Sequence, residues 1–314
     1  MFALAGSVAV LGQARRDLAP PTEFAAPHIP GVVAANTRVD LVKGGFPRTE
    51  GPVGMPDGSL LFTGSNSIVR IDASGSVSTY VEPSNAANAL GFDSRGRLIS
   101  VQRAPGNERL GILDPKGSGT TLADGFDGKP FSRLNDLVVS TRGGIYFTDA
   151  RGIYYLPPDG RLILAATGIP NPNGVILSPD ERILYANNKD GEYLLAFDVA
   201  EDGSLTNQRN FAKYESVRIP GHKDPSLAED NGADGLAIDN DGRLYVATNL
   251  GVEVFSSTGA HLGVIPVVWG GALDLRKPQN VAFAGPDRRS LYIVGAGAVF
   301  KVRTLARGIQ SRAK

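Results

Sequence analysis

The chain has no cysteine, which excludes disulfide staples, thiolate zinc ligands and a thiol nucleophile together. Its three histidines, His28, His222 and His261, are scattered, and none belongs to an HExxH-type pair. Charge of neither sign dominates. With 32 basic against 32 acidic residues, there is no electrostatic footprint for nucleic acid or for an anionic membrane surface. No run approaches the roughly 20 apolar residues of a membrane-spanning helix, and helical periodicity is nowhere sustained. The GxSxG elbow, the phosphate-cradling Walker loop and the GxGxxG fingerprint are all missing. These absences point to a soluble protein whose partner is a small molecule and whose chemistry needs neither an activated serine nor a nucleotide.

What is present is 314 residues with 42% hydrophobic content, enough for a substantial core. The N-terminus supports two readings. Residues 3 to 11, ALAGSVAVL, followed by GQA and by Arg15 and Arg16, resemble the apolar region and cleavage site of a secretory signal, without its basic start. That reading makes the protein periplasmic or secreted. The other is a disordered leader of a cytoplasmic protein, running into the loop APPTEFAAPHIPG.

From Glu50 onward the chain repeats. Six segments share one grammar, a polar residue, a short alternating strand, a polar turn and a second strand. They are EGPVGMPDGSLLFTG from Glu50, NALGFDSRGRLISVQ from Asn88, NDLVVSTRGGIYFTD from Asn135, NGVILSPDERILYAN from Asn173, DGLAIDNDGRLYVAT from Asp234 and NVAFAGPDRRSLYIV from Asn280. Eight positions after each leading residue comes the same place in the turn, held by Gly58, Gly96, Gly143, Glu181, Gly242 and Arg288. The leading residues are spaced by 38, 47, 38, 61 and 46 positions, close to the roughly 40 to 50 residues of a four-stranded propeller blade. Additional strands follow each hairpin, as in SIVRIDASG and GVEVFSSTG.

Six such units predict an all-β, six-bladed β-propeller over residues 37–303, after a leader of residues 1–36 and before a tail of residues 304–314. The strand around TRVDLVK is expected to complete the last blade and close the ring. The innermost strand of each blade lines the central channel. A residue repeated in one register therefore forms a ring around the axis.

That ring is Glu50, Asn88, Asn135, Asn173, Asp234 and Asn280. Taken singly, Asn or Asp before a strand satisfies turn backbone. Glu is no turn former, and six oxygen-bearing side chains without a Ser, Thr or Gly among them need another reason. Two carboxylates converging on one axis repel each other and lose solvation unless a cation or a shared proton relieves them. An all-oxygen ligand set suits one divalent metal ion, Ca²⁺ before Mg²⁺ or Mn²⁺, with Zn²⁺ disfavoured by the lack of His and Cys.

The segments EGPVGMPDGSLLF, RLND (Arg133 to Asp136), PNGVILSPDERILY and ADGLAIDNDGRLYVAT resemble the gluconolactonase, regucalcin and senescence-marker-protein family of six-bladed propellers over residues 45 to 303. The resemblance implies a metal held by Glu50, Asn173 and Asp234. It also implies substrate contacts from Arg133 and Asn135, the latter near enough to meet the metal directly or through water. Asp136 is expected to be structural. The chain departs from the family pattern at Gly54, where Trp is usual, at TGSNS from Thr63, and at the ARG that shortens the loop after YFTD. These changes bear on substrate identity more than on the metal.

The chemistry implied is metal-assisted hydrolysis of a sugar lactone of the gluconolactone class to an aldonic acid. The ion would polarise the lactone carbonyl and acidify water, with no protein nucleophile needed. Asp234 is the candidate for a double role as ligand and general base. The rivals are another lactone, ester or organophosphate on the same site, a noncatalytic propeller tied together by its ion, and a strictosidine-synthase-like propeller, which needs no Asn173 and Asp234 pair. DNDG at 239–242 is a hairpin turn, since the first ligand of a calcium loop would fall on Ala237. The insertion from Lys213 to Ala233 suits either a partial lid, which would bring His222 to the substrate, or a surface loop.

Overall fold

The computed structural model describes residues 23–113, 119–216, 230–267 and 277–312. The apolar leader stretch at 3–11, His222 and most of the insertion after Lys213 lie outside the described residues. Among the described residues every regular element is a strand.

Two strands, β1 (Glu23–Ala26) and β2 (Thr37–Lys43), precede the first blade. Blade 1 is β3 (Glu50–Gly54), β4 (Leu60–Thr63), β5 (Ile68–Ile71) and β6 (Val77–Val81). Blade 2 is β7 (Ala87–Phe92), β8 (Leu98–Gln102), β9 (Arg109–Leu113) and β10 (Thr120–Ala123). A short ribbon of β11 (Gly125–Phe126) and β12 (Lys129–Pro130) leads to blade 3, which is β13 (Leu137–Val139), β14 (Ile145–Asp149), β15 (Gly152–Leu156) and β16 (Ile163–Ala166). Blade 4 is β17 (Pro172–Leu177), β18 (Ile183–Asn188), β19 (Tyr193–Val199) and β20 (Leu205–Lys213). Blade 5 is β21 (Leu236–Ile238), β22 (Leu244–Thr248), β23 (Gly251–Phe255) and β24 (His261–Ile265). Blade 6 is β25 (Asn280–Ala284), β26 (Ser290–Gly295) and β27 (Ala298–Arg303).

Closure follows the expected route. TRVDLVK forms β2 and pairs antiparallel with β27, Leu41 opposite Phe300, so one blade joins a strand from before the first repeat to the last strand of the sixth. Beyond the expectation, Glu23–Ala26, inside the stretch read as a loop, adds a fifth strand against β2. The inner strands β3, β7, β13, β17, β21 and β25 touch in cyclic order, β25 returning to β3. Between blades the apolar faces interlock, as where Val138, Tyr146, Val175 and Leu184 of blades 3 and 4 join Leu236 and Val246 of blade 5 in one buried cluster. Radial closure of this kind leaves few strand edges exposed.

All six turn positions at the matched register have positive φ, from 73° to 89° at the four glycines, 59° at Glu181 and 56° at Arg288. That left-handed conformation costs a side-chain-bearing residue about 1 kcal/mol or more. At these two places the side chain has its own use. Residues 305–312 cross the pole opposite the ring, and Arg288 donates to the carbonyls of Ile309 (Nε 3.1 Å, Nη2 2.8 Å) and Arg312 (2.6 Å). Arg312 is buried and its Nη1 lies 3.2 Å from Glu181 Oε1. Burial pushes the Glu181 carboxyl up, but hydrogen bonds from Ser140 and Thr141 and the Arg312 charge outweigh it and hold it below the usual range.

Candidate metal centre

The ring residues stand at the starts of the inner strands. In blades 1, 2 and 4 the register slips at the ring residue itself, between Glu50 and Val53, Ala87 and Ala89, and Pro172 and Val175. A bulge bends the strand and re-aims the side chain beside it. Asn135 and Asp234 lie just ahead of their strands but still extend the ladder, donating from their backbone amides to Thr148 O (2.9 Å) and Ala247 O (3.0 Å).

Each blade start leans on the next. Asn88 Nδ2 donates to Asn135 O (2.7 Å) and Oδ1 (3.3 Å), Thr148 Oγ1 donates to Asn173 O (2.7 Å), and Asn280 Nδ2 donates to Glu50 Oε2 (3.0 Å). The approach is close enough to dictate glycine. A Cβ on Gly174 would run into the Asp234 carbonyl, and one on Gly235 into the Asn280 amide. The glycines of the NG and DG motifs are therefore steric requirements of blade convergence.

Glu50 is 3% exposed and accepts hydrogen bonds from the Gly51 amide and Asn280. Burial, then the charge of Asp234, and after the opposing Gly51 bond that of Asp136, raise its pKa to about 8. Asn173 is 2% exposed, and its side-chain oxygen Oδ1 is buried without a hydrogen-bond partner. A buried amide oxygen left unpaired costs about 1 to 3 kcal/mol. A cation offered an orphaned amide oxygen, a repelled carboxylate and Asp234 would relieve both penalties, so the residues present fit a divalent ion with oxygen ligands. Only two of these donors are acids, and no group of three or more His, Asp or Glu arranged to hold a metal occurs among the described residues.

The other expected site residues divide. Asn135, partly buried, joins the ring through Asn88. Arg133 is exposed, has a φ of 60°, and donates from Nη2 to Asn171 Oδ1 (2.8 Å). Asp136 is buried, its carboxylate accepting the amides of Leu137 (2.8 Å) and, across the blade boundary, Val175 (3.3 Å), which suits a structural post.

Sequence reading missed the cations around these oxygens. Lys189 Nζ lies 3.5 Å from Asp234 Oδ2 and 3.8 Å from Asp230 Oδ2, and Lys277 Nζ lies 3.8 Å from Asp230 Oδ1. The charge of Asp234 above all raises the Lys189 pKa, against the opposing effect of burial. On the other side, Arg103 Nη1 donates to Asn88 Oδ1 (2.8 Å), and Arg48 Nη2 donates to the same oxygen. A signal was available. In an antiparallel hairpin the second strand ends beside the start of the first, so Arg103 after β8 and Lys189 after β18 were bound to return to the ring's pole.

Fold and site together define a class, closed six-bladed propellers whose axis carries buried acidic and amide oxygens at one pole. Residues 48–297 match the family described as SMP-30/Gluconolactonase/LRE-like region, and the chain belongs to that family. It is 28% identical to a gluconolactonase of Zymomonas mobilis over 90% of this chain and 85% of the relative. It is 27% identical to a pentonolactonase of Haloferax volcanii over 79% and 81%. Among solved structures, a gluconolactonase from Xanthomonas campestris aligns with a TM-score of 0.74 at 23% identity, covering 92% of this chain and 99% of that one. A calcium-binding regucalcin from Agrobacterium tumefaciens aligns with a TM-score of 0.67 at 20% identity, over 86% and 94%. At these identities the structural likeness speaks for the fold alone.

Proposed function

We propose that the chain is a divalent-cation-dependent lactonase that opens sugar lactones of the gluconolactone class to aldonic acids. The observation carrying this reading is electrostatic: Glu50 is buried within the field of Asp234 and Asp136, in a ring that also holds the unpaired Asn173 Oδ1. The relatives support the reaction class, since both the gluconolactonase and the pentonolactonase act on sugar lactones by name.

Glu50, Asn173 and Asp234 would hold the ion, Ca²⁺ by the hardness of the donor set, with Mg²⁺, Mn²⁺ and Zn²⁺ as the alternatives. When bound, such an ion polarises the lactone carbonyl and makes water a stronger acid. The remaining work falls to side chains. Arg133 and Asn135 orient the lactone hydroxyls, the planar guanidinium offering several donors at once. Asp234 takes the proton of the attacking water. Water oxygen bonds to the carbonyl carbon, the ring C–O bond breaks, and the proton passes to the departing ring oxygen.

The test is gluconolactone hydrolysis after EDTA treatment, followed by back-addition of each of the four metals. Loss of turnover with the fold retained, and its return with one ion, supports the proposal. Full turnover by the metal-free protein refutes its catalytic half, and collapse of the fold on chelation favours an ion that only ties the blades together.

A further inference from the structure

Arg48 and Arg103 direct two guanidinium groups onto one neutral oxygen, Asn88 Oδ1. Both side chains are partly buried, and no carboxylate pairs with either among the described residues. Two like charges sharing one amide oxygen are a poor way to stabilise a fold, because they repel and neither is neutralised. Arg103 registers the cost. Burial, and after it the charge of Arg48, lower its pKa, with Arg133 adding to the repulsion. Among the described residues, two other cations at this pole are matched, Lys189 by Asp234 and Asp230, and Lys277 by Asp230. Among the described residues the excess positive charge at this pole therefore lies on the side of blades 1 to 3. It connects to the ring through Asn88, whose Nδ2 reaches Asn135 Oδ1. Glu50 and Asp234 lie within electrostatic reach of Arg103, but these are the two carboxylates a divalent cation would take up.

We propose that Arg48, Arg103 and Arg133 form an anion-recognition arc at the mouth of the channel, and that the substrate is a sugar lactone bearing a free carboxylate, the monolactone of an aldaric acid. This rests on the lactonase reading but changes its substrate: the lactone carries a carboxylate, which Arg133 helps to bind in place of hydroxyls, and ring opening gives an aldaric rather than an aldonic acid. A guanidinium fork matches a carboxylate in shape and charge, and such bonds are about twice as strong as neutral ones. With the lactone carbonyl at the ring, a carboxylate at the far end of a six-carbon sugar acid meets the arc. A neutral gluconolactone places a hydroxyl there and leaves the arginines unmatched.

The experiment compares the lactone of D-glucaric acid, neutral gluconolactone and phosphorylated gluconolactone as substrates of the cation-loaded protein and of Arg103→Gln and Arg48→Gln. In parallel, calorimetry measures D-glucarate against D-gluconate binding; the affinity of glucarate for the cation itself is common to all variants and cancels in the comparison. The expected result is a kcat/KM about tenfold or more higher for the glucaric lactone than for gluconolactone, with most of that preference lost in either variant. Because Arg48 and Arg103 repel each other, either variant should melt no lower than about 2 °C below the parent, whereas loss of a merely structural arginine lowers the melting point further. Equal use of charged and neutral lactones, or equal losses on both in the variants, overturns the proposal, as does a preference for the phosphorylated lactone. Arginine-dependent glucarate binding without turnover of any lactone leaves the anion site standing and removes the lactonase reading instead.

Discussion

Stripped of its cation, the protein should become less stable as pH rises from about 4.5 to about 8, and a saturating divalent ion should abolish that fall. The cause is Glu50, whose carboxyl moves from the ordinary 4.5 to about 8 through burial and the neighbouring Asp234 charge. Between those values the unfolded chain has already released the proton that the folded, cation-free protein still holds. The native state then binds more protons, and stability declines with pH. The Glu50 contribution is whole below about pH 4.5 and gone above about pH 8. At about 1.4 kcal/mol per pKa unit, the rise amounts to about 5 kcal/mol at most, because Asp234 shares the interaction. At about 2 °C per kcal/mol for a domain of this size, the melting point should drop by up to about 10 °C. A cation replaces the proton, so binding releases it and affinity should climb with pH, by up to about tenfold per unit. The assay is thermal unfolding in EDTA and in excess CaCl₂ at a series of pH values, with Glu50→Gln alongside. That variant should flatten the metal-free profile and lose the calcium response. A melting-point gain from calcium that is the same at about pH 5.5 and pH 8.5 would refute the linkage, since Glu50 titrates between them.

Three further outcomes follow from contacts at the two poles. Lys189→Met should bind calcium several-fold more tightly, because an ammonium 3.5 Å from Asp234 competes with the ion; calorimetry showing weaker binding would mean that the lysine serves to position the carboxylate. Gly174→Ala should lower the melting point and calcium affinity together, since its Cβ would displace the Asp234 carbonyl; unchanged affinity would show that blade convergence does not set the ligand positions. Arg312→Ala should cost up to about 3 kcal/mol, since Glu181 loses its buried cation but keeps the hydrogen bonds from Ser140 and Thr141, while Glu181→Gln in the same chain should recover part of it; chemical denaturation measures both.

The blades were legible because their signals are local. Period-two alternation and the turn register need only a few neighbouring residues, and positive φ at Glu181 and Arg288 as well as at the four glycines shows that the register has a backbone meaning. The closing strand β2 was equally readable, since TRVDLVK alternates and a ring of six needs one more edge. The four residues of β1 were not, because EFAA between prolines has no pattern of its own and becomes a strand only where β2 offers an open edge.

By itself the sequence determined a sixfold repeat, one oxygen-bearing side chain per repeat at one register, and glycines where the motif allows nothing larger. Tertiary structure alone decided which charges meet those oxygens. Glu50 and Asn280 are 230 positions apart and share a hydrogen bond, Arg48 and Arg103 converge on one amide from separate segments, and residues 305–312 reach across the far pole. Period and propensity act over a few residues, whereas electrostatic repulsion and desolvation depend on distance through space, which is set only when the ring closes.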